Sequence, residues 1–211
     1  MNRSAMRYLL FSVLLTFTCC ASDYKYMQTV DSDPVCIDRL APDRFETSWY
    51  HASVDVVGRH ISGLLLIKNM PDSAQRVVFT NEAGVTFFDF GFSKEGEFKV
   101  FNIIKQLDRA PVIQTLQKDF RLILGLPFRE AAYEVSTRDD EVFYGVRQKN
   151  ETAYFITTKD CASLRRLELG SNRKRKVTVL LSENGYPQPD KIELVHNTFD
   201  MQIKLTRIDK E

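Results

Sequence analysis

Apolar and polar residues alternate along most of the chain after residue 45, which is the pattern of β-strands with one buried face. The alternation is clear over 50–56 and over 199–207, where Phe199, Met201, Ile203 and Leu205 share one face. Shorter strand-like runs, separated by turns rich in Gly, Pro and Asn, occupy 61–101 and 132–196. The pattern predicts about eleven or twelve antiparallel strands.

Helical periodicity is strong in one place, near residues 108–124. Ile113, Leu116, Phe120 and Ile123 form one apolar stripe at helical spacing. We expect Asp108 to cap this helix, with Pro111 in its first turn and Gly125 at its end. Together, the strands and the helix predict a mainly β, α+β fold: a curved, open antiparallel half-barrel that covers one long apolar helix.

The first 21 residues have the features of a secretory signal peptide. Arg3 and Arg7 precede an apolar run over 8–17 and then a patch of small residues. The run before Cys19 and Cys20 resembles a bacterial lipoprotein signal, which predicts acylation of Cys20, with Cys19 as the alternative. Ordinary cleavage after Ala21 is the other interpretation. Residues 22–44, which have no sustained period, are interpreted as a tether to a single domain over 45–211.

Two further cysteines, Cys36 and Cys161, remain for the mature chain. Export to an oxidising compartment would permit a disulfide between them. The alternative is that both are unpaired small apolar residues. The spacing of the two cysteines does not decide between these interpretations.

Composition argues against catalysis and against binding of nucleic acid. The 211 residues include 29 Lys and Arg, 28 Asp and Glu, and three His. A chain so nearly neutral is a poor polyanion binder, and its His residues have no metal-ligand spacing. We therefore expect a protein that is not an enzyme and has no cofactor or metal. The one basic cluster, 173–176, is interpreted as a charged hairpin tip, with contact to anionic lipid head groups as the alternative.

Several short motifs resemble the lipoprotein-localisation factors LolA and LolB, and LolB more closely. The matching segments are Trp49, residues 63–67, residues 77–86, residues 189–194 and residues 199–205. The resemblance spans most of 45–208. It implies an open half-barrel whose helices cover the concave face and which binds the acyl chains of lipoproteins, such as palmitate. LolB carries an exposed leucine at the tip of the hairpin that matches 77–86, whereas this chain has Ala83 there.

The resemblance and the apolar pattern together predict a hydrophobic cavity between the sheet and the helix. Its expected lining is Phe88 and Phe90 from the sheet, Leu116 and Phe120 from the helix, and Ile203 from the last strand. Burying an acyl chain there would contribute about 0.8 kcal/mol for each methylene.

The sequence therefore predicts an exported, non-catalytic lipoprotein anchored in the outer membrane and facing the periplasm. Its expected ligand is a lipid acyl chain or a lipoprotein. A soluble periplasmic or secreted protein is the alternative localisation. The alternative function is a structural lipoprotein of an envelope complex, with a packed interior and protein partners.

Overall fold

A computed structural model of the chain describes residues 22–31, 35–41, 45–72, 74–129, 132–171, 173–182 and 185–208. The strands are β1 Gln28–Thr29, β2 Ser48–Val56, β3 Arg59–Asn69, β4 Gln75–Thr80, β5 Thr86–Phe92, β6 Phe98–Ile103, β7 Glu134–Arg138, β8 Glu141–Gln148, β9 Glu151–Thr158, β10 Leu164–Gly170, β11 Arg175–Leu181, β12 Lys191–His196 and β13 Met201–Arg207. The helices are α1 Val35–Leu40 and α2 Ala110–Ile123, and a 3₁₀ turn follows at Leu126–Phe128.

All of these strands belong to one antiparallel sheet. The thirteen strands lie in the order β1-β7-β8-β9-β10-β11-β12-β13-β2-β3-β4-β5-β6. In the part of the chain that the structure describes, the edge strands β1 and β6 do not pair with each other, so the sheet stays open. The predicted α+β half-barrel is confirmed, and the strand that the sequence pattern missed is the two-residue β1.

The apolar residues of the alternating pattern form a continuous row across the concave face of the sheet. Strand register places Ile203 between Val54 and Leu194, and the row continues through Val179 to Leu167. One predicted member of the last strand is corrected: Phe199 lies in the turn before β13 and is exposed.

Helix α2 crosses the concave face because the topology requires it. Strand β6 is one edge of the sheet, and β7 lies beside the other edge, so the connection between them spans the sheet. The residue before the helix is Arg109 rather than the expected Asp108, and no side chain caps it. Gly125 ends the helix with φ 67°, a left-handed conformation that favours glycine. No helix in the described ranges is long and apolar enough to cross a membrane.

Parts of the segment interpreted as a tether contact the domain. Strand β1 pairs with β7, and the Tyr24 ring lies 4.8 Å from the Tyr154 ring. A Cβ on Gly170 would lie 2.7 Å from Cε2 of Tyr24, so the lack of a side chain there lets the ring approach. The contacts of 22–31 are thus local, and Tyr26 between them is 87% exposed.

A disulfide joins helix α1 to the turn between β9 and β10. The Cα atoms of Cys36 and Cys161 are 5.4 Å apart, within the usual range for a disulfide. Arg39 also donates a hydrogen bond to the carbonyl oxygen of Cys161. Beside these links, Ile37 is buried against the core. Helix α1 is thus fixed to the domain at three neighbouring residues.

Loss of this disulfide should destabilise the protein. The bond closes a loop of 125 residues, so replacing both cysteines by serine should lower the free energy of unfolding by about 2–5 kcal/mol. Urea unfolding of the exported protein and of the double variant measures this difference. Equal unfolding midpoints under oxidising conditions would contradict the prediction.

Candidate functional site

The five residues predicted to line an apolar cavity are packed in the core instead. Phe88, Phe90, Leu116, Phe120 and Ile203 are all buried. The Phe88 ring centroid is 4.5 Å from that of Phe90 and 5.6 Å from that of Phe120. The inner face of α2 thus packs on the sheet at these rings. None of the five residues lines the groove described next.

An open groove of about 1360 Å³ lies beside the helix. Its walls are the polar face of α2, helix α1, the 3₁₀ turn, and the turns β5–β6 and β8–β9. Gln114, Gln117 and Arg121 face it at helical spacing. The volume exceeds the roughly 300–1,000 Å³ of ordinary small-molecule pockets, so the groove is large enough for an extended ligand.

The floor of the groove is apolar. Its apolar side chains come from α1, from the end of α2, from the 3₁₀ turn and from β10: Ile37, Ala41, Leu122, Leu126, Pro127, Phe128 and Leu169. Phe128 packs edge-to-face on Phe155, with ring centroids 5.5 Å apart, so the floor continues into the core. Most of these side chains are themselves buried, with Leu122 1% and Phe128 3% exposed, so the apolar lining offers a ligand only a small surface.

The rim of the groove is mainly basic. It has three acidic side chains, Asp38, Glu95 and Glu151, and six basic ones, Lys94, Lys118, Arg121, Arg129, Lys149 and Lys176. The excess of positive charge favours ligands with an anionic group.

Two of the lysines share one carboxylate. Glu151 lies 2.6 Å from Nζ of Lys118 and 2.7 Å from Nζ of Lys176. Partial burial works to raise the pKa of Glu151, but the two ion pairs outweigh it and lower that pKa. The triad carries a net positive charge and holds both ammonium groups at the groove wall.

Arg121 and Arg129, which line the groove, each donate a hydrogen bond to a residue of the sheet or its turns. Arg121 Nη1 donates a hydrogen bond of 2.5 Å to the carbonyl oxygen of Gly96 in the β5–β6 turn, and burial lowers the pKa of this guanidinium. Arg129 donates to Oε1 of Gln75 at 2.9 Å. Both contacts position α2 and the segment after it relative to the sheet.

A buried ionisable pair joins the inner face of α2 to β12. Nε2 of His196 lies 3.0 Å from Oδ2 of Asp119, and the two side chains are 5% and 1% exposed. Oδ1 of Asp119 has no hydrogen-bond partner among the described residues. Burial raises the pKa of the Asp119 carboxyl, although the hydrogen bond with His196 opposes the rise. No nucleophilic side chain is hydrogen-bonded to this pair among the described residues, so its geometry supports a positioning role for the helix.

The other predicted site residues lie apart from the groove or outside the described residues. Ala83 is exposed in the β4–β5 turn, beside the exposed Val85. Cys19 and Cys20 lie outside the described residues. Cys36 and Cys161 hold α1, which is one wall of the groove. No cluster of His, Cys, Asp and Glu that could hold a metal ion occurs in the described ranges.

Asp119 should make the stability of the protein depend on pH. Its folded-state pKa is raised above the ordinary 3.8. The protonated carboxyl therefore adds to the free energy of unfolding at lower pH, and this addition is lost as pH rises through the folded-state pKa. Each pKa unit of this rise corresponds to about 1.4 kcal/mol. Relative to the native protein, Asp119→Asn should therefore gain stability as pH rises from about 4 toward neutrality. Urea unfolding at several pH values tests this, and parallel pH profiles would contradict it.

No family model matches the chain, and no curated protein matches it. Among solved structures, it is similar to a DUF1329 family protein from Desulfovibrio piger, with a TM-score of 0.42 and 9% identity. The similarity covers 83% of this chain and 88% of that one.

Proposed function

We propose that the protein binds an anionic amphiphile in the groove beside α2, without covalent chemistry. The observation that carries this proposal is the combination of an apolar floor with a basic rim in a groove of about 1360 Å³. A lipid acyl chain, or the acylated end of a lipoprotein, has this chemistry: a long apolar part joined to a polar or charged group.

The apolar floor would take the acyl chain. Leu122, Leu126 and Phe128 line it at the end of α2 and in the 3₁₀ turn, each with a small exposed area. Each methylene that such a surface removes from water contributes about 0.8 kcal/mol. Several methylenes would therefore contribute to the free energy of binding even where the groove covers only one side of the acyl chain.

The rim suits the head group. Lys118 and Lys176 share a single carboxylate, so an anion at this wall meets two ammonium groups and one negative charge. Lys149, exposed in the β8–β9 turn, adds a further positive charge at the same wall. Electrostatic attraction of this kind favours an acidic head group over a zwitterionic one.

The proposal includes a lipid anchor on Cys20, with Cys19 as the alternative, at the outer membrane and facing the periplasm. The lipoprotein-like signal in the sequence supports this part. An acyl anchor would hold the binding domain at the membrane surface where amphiphilic ligands are found.

A second candidate function is attachment to a protein partner of the cell envelope. The packed interior favours it, and so does Trp49, which is 43% exposed on the outer face of β2. Leu66 lies opposite Trp49, and Val78 lies opposite Leu66, which makes an apolar row on that face. Trp is enriched in the centres of protein interfaces.

Blocking the groove should lower the affinity of the protein for an amphiphile. Gln117 is half-buried on the groove face of α2, so Gln117→Trp would place an indole ring in the groove without changing the core. We expect at least about a tenfold loss of affinity for a fluorescent fatty acid, since each tenfold corresponds to 1.4 kcal/mol, less than two buried methylenes. Titration of the purified exported protein measures the affinity.

The matched control is Gln106→Trp, at an exposed turn residue before α2 that does not line the groove. This variant should bind the fatty acid as the unaltered protein does. Equal binding by the folded Gln117→Trp variant would contradict the groove assignment, and no uptake by the unaltered protein would favour the second candidate function.

A further inference from the structure

The described chain begins at one end of the sheet, beside the turn between β10 and β11. The backbone N–H of Asp23 donates to the carbonyl oxygen of Arg173 at 2.9 Å, and the N–H of Arg175 donates to Oδ2 of Asp23 at 2.8 Å. Tyr24 then lies over Gly170 and Tyr154. Nη1 of Arg138 also donates to the carbonyl oxygen of Asp23 at 2.6 Å, so Ser22 is held between the β10–β11 turn and the Arg138 side chain.

This position limits how far the domain can stand from an anchor on Cys20. Only two peptide units separate Ser22 from Cys20. A chain reaches at most about 3.6 Å per residue, so an acylated Cys20 lies within about 7 Å of Ser22. A bilayer that holds the acyl chains must then come close to the β10–β11 turn.

The residues at this end have the chemistry of a membrane-facing surface. Arg173 and Lys174 are exposed in the turn, and Lys149 is exposed in the β8–β9 turn. Basic residues attract anionic lipid head groups.

The opposite end of the sheet has charges of both signs. Asp139 and Asp140 are exposed in the β7–β8 turn and Asp160 in the β9–β10 turn, but Lys159 is exposed there as well and Arg165 lies 3.5 Å from Asp140. The N–H of Lys159 donates to the carbonyl oxygen of Asp140, so these two turns lie side by side. This end therefore lacks the excess of positive charge that the β10–β11 turn presents to an anionic bilayer.

We propose that the end of the sheet formed by the β8–β9 and β10–β11 turns is the surface that faces an anionic phospholipid bilayer. The inference rests on the lipid anchor of the proposed function and adds the orientation of the domain. It brings Arg173 and Lys174 to the head groups, and it turns the β7–β8 and β9–β10 turns away from the membrane.

The same orientation brings the groove to the membrane. Gly170 pairs with Thr152, so the β8–β9 turn and the β10–β11 turn lie at one end of the sheet. Lys149, Asn150 and Lys176 at this end also form one wall of the groove. An amphiphile leaving the bilayer would therefore meet the groove at its basic wall.

Amine labelling of the anchored protein tests this orientation. The exported, full-length protein is compared in detergent, in phosphatidylcholine vesicles, and in vesicles of equal parts phosphatidylcholine and phosphatidylglycerol. A water-soluble acetylating reagent modifies exposed lysines, and mass spectrometry gives the labelled fraction of Lys174 and Lys159. We expect labelling of Lys174 to fall by about tenfold on the anionic vesicles, and labelling of Lys159 to stay as in detergent.

Charge-reversal variants show whether Lys174 is protected by electrostatic attraction to the head groups or only by its short distance from the anchor. Arg173→Glu should restore much of the labelling of Lys174 on anionic vesicles, whereas the control Lys159→Glu should not. Equal protection of Lys174 and Lys159, or protection of neither, would overturn the orientation.

The mass of the N-terminal peptide distinguishes the two ways in which the test can fail. A peptide without an acyl group would overturn the anchor and, with it, both the orientation and the membrane part of the proposed function. An acylated protein whose Lys174 is labelled like Lys159 would overturn the orientation alone.

Discussion

The packing of α2 against the concave face of the sheet is the contact on which the rest of the structure depends. The chain must cross from β6, at one edge, to β7, beside the other edge, and the helix makes this crossing. Phe120 inserts its buried ring against Phe88, and the Asp119–His196 pair fixes the helix to β12. A well-packed core phenylalanine typically contributes about 3–5 kcal/mol relative to alanine, so this contact largely determines where the helix lies.

Because the inner face of α2 packs on the sheet, the groove lies beside the helix and is lined by its polar residues. The hydrogen bond from Arg121 to Gly96 and the ion pairs of Lys118 and Lys176 with Glu151 hold the polar face of α2 between two turns of the sheet. The disulfide of Cys36 brings α1 to the same place as a further wall. The groove is thus a consequence of how the helix is held, and its basic rim comes from side chains that also position the helix.

The strands, the helix and the open sheet could be predicted because alternation and helical spacing follow directly from which face is buried. Two features of the structure could not be predicted from the sequence. The packing of Phe88, Phe90 and Phe120 depends on the distance between helix and sheet, so a filled core and an empty cavity have the same sequence pattern. The docking of Tyr24 depends on the space over Gly170, which lies far away in the sequence. A signal for the groove was present in Gln114, Gln117 and Arg121, a polar stripe opposite the apolar one.

The central claim is that a ligand occupies the groove beside α2 and not the interior of the half-barrel. Photo-crosslinking with a diazirine-labelled fatty acid, followed by peptide mass spectrometry of the exported protein, tests it most directly. The account predicts adducts on residues of the groove floor, such as Leu122, Leu126 and Phe128, and their loss when unlabelled fatty acid competes. Competable adducts on Phe88, Phe90 or Phe120 would contradict it.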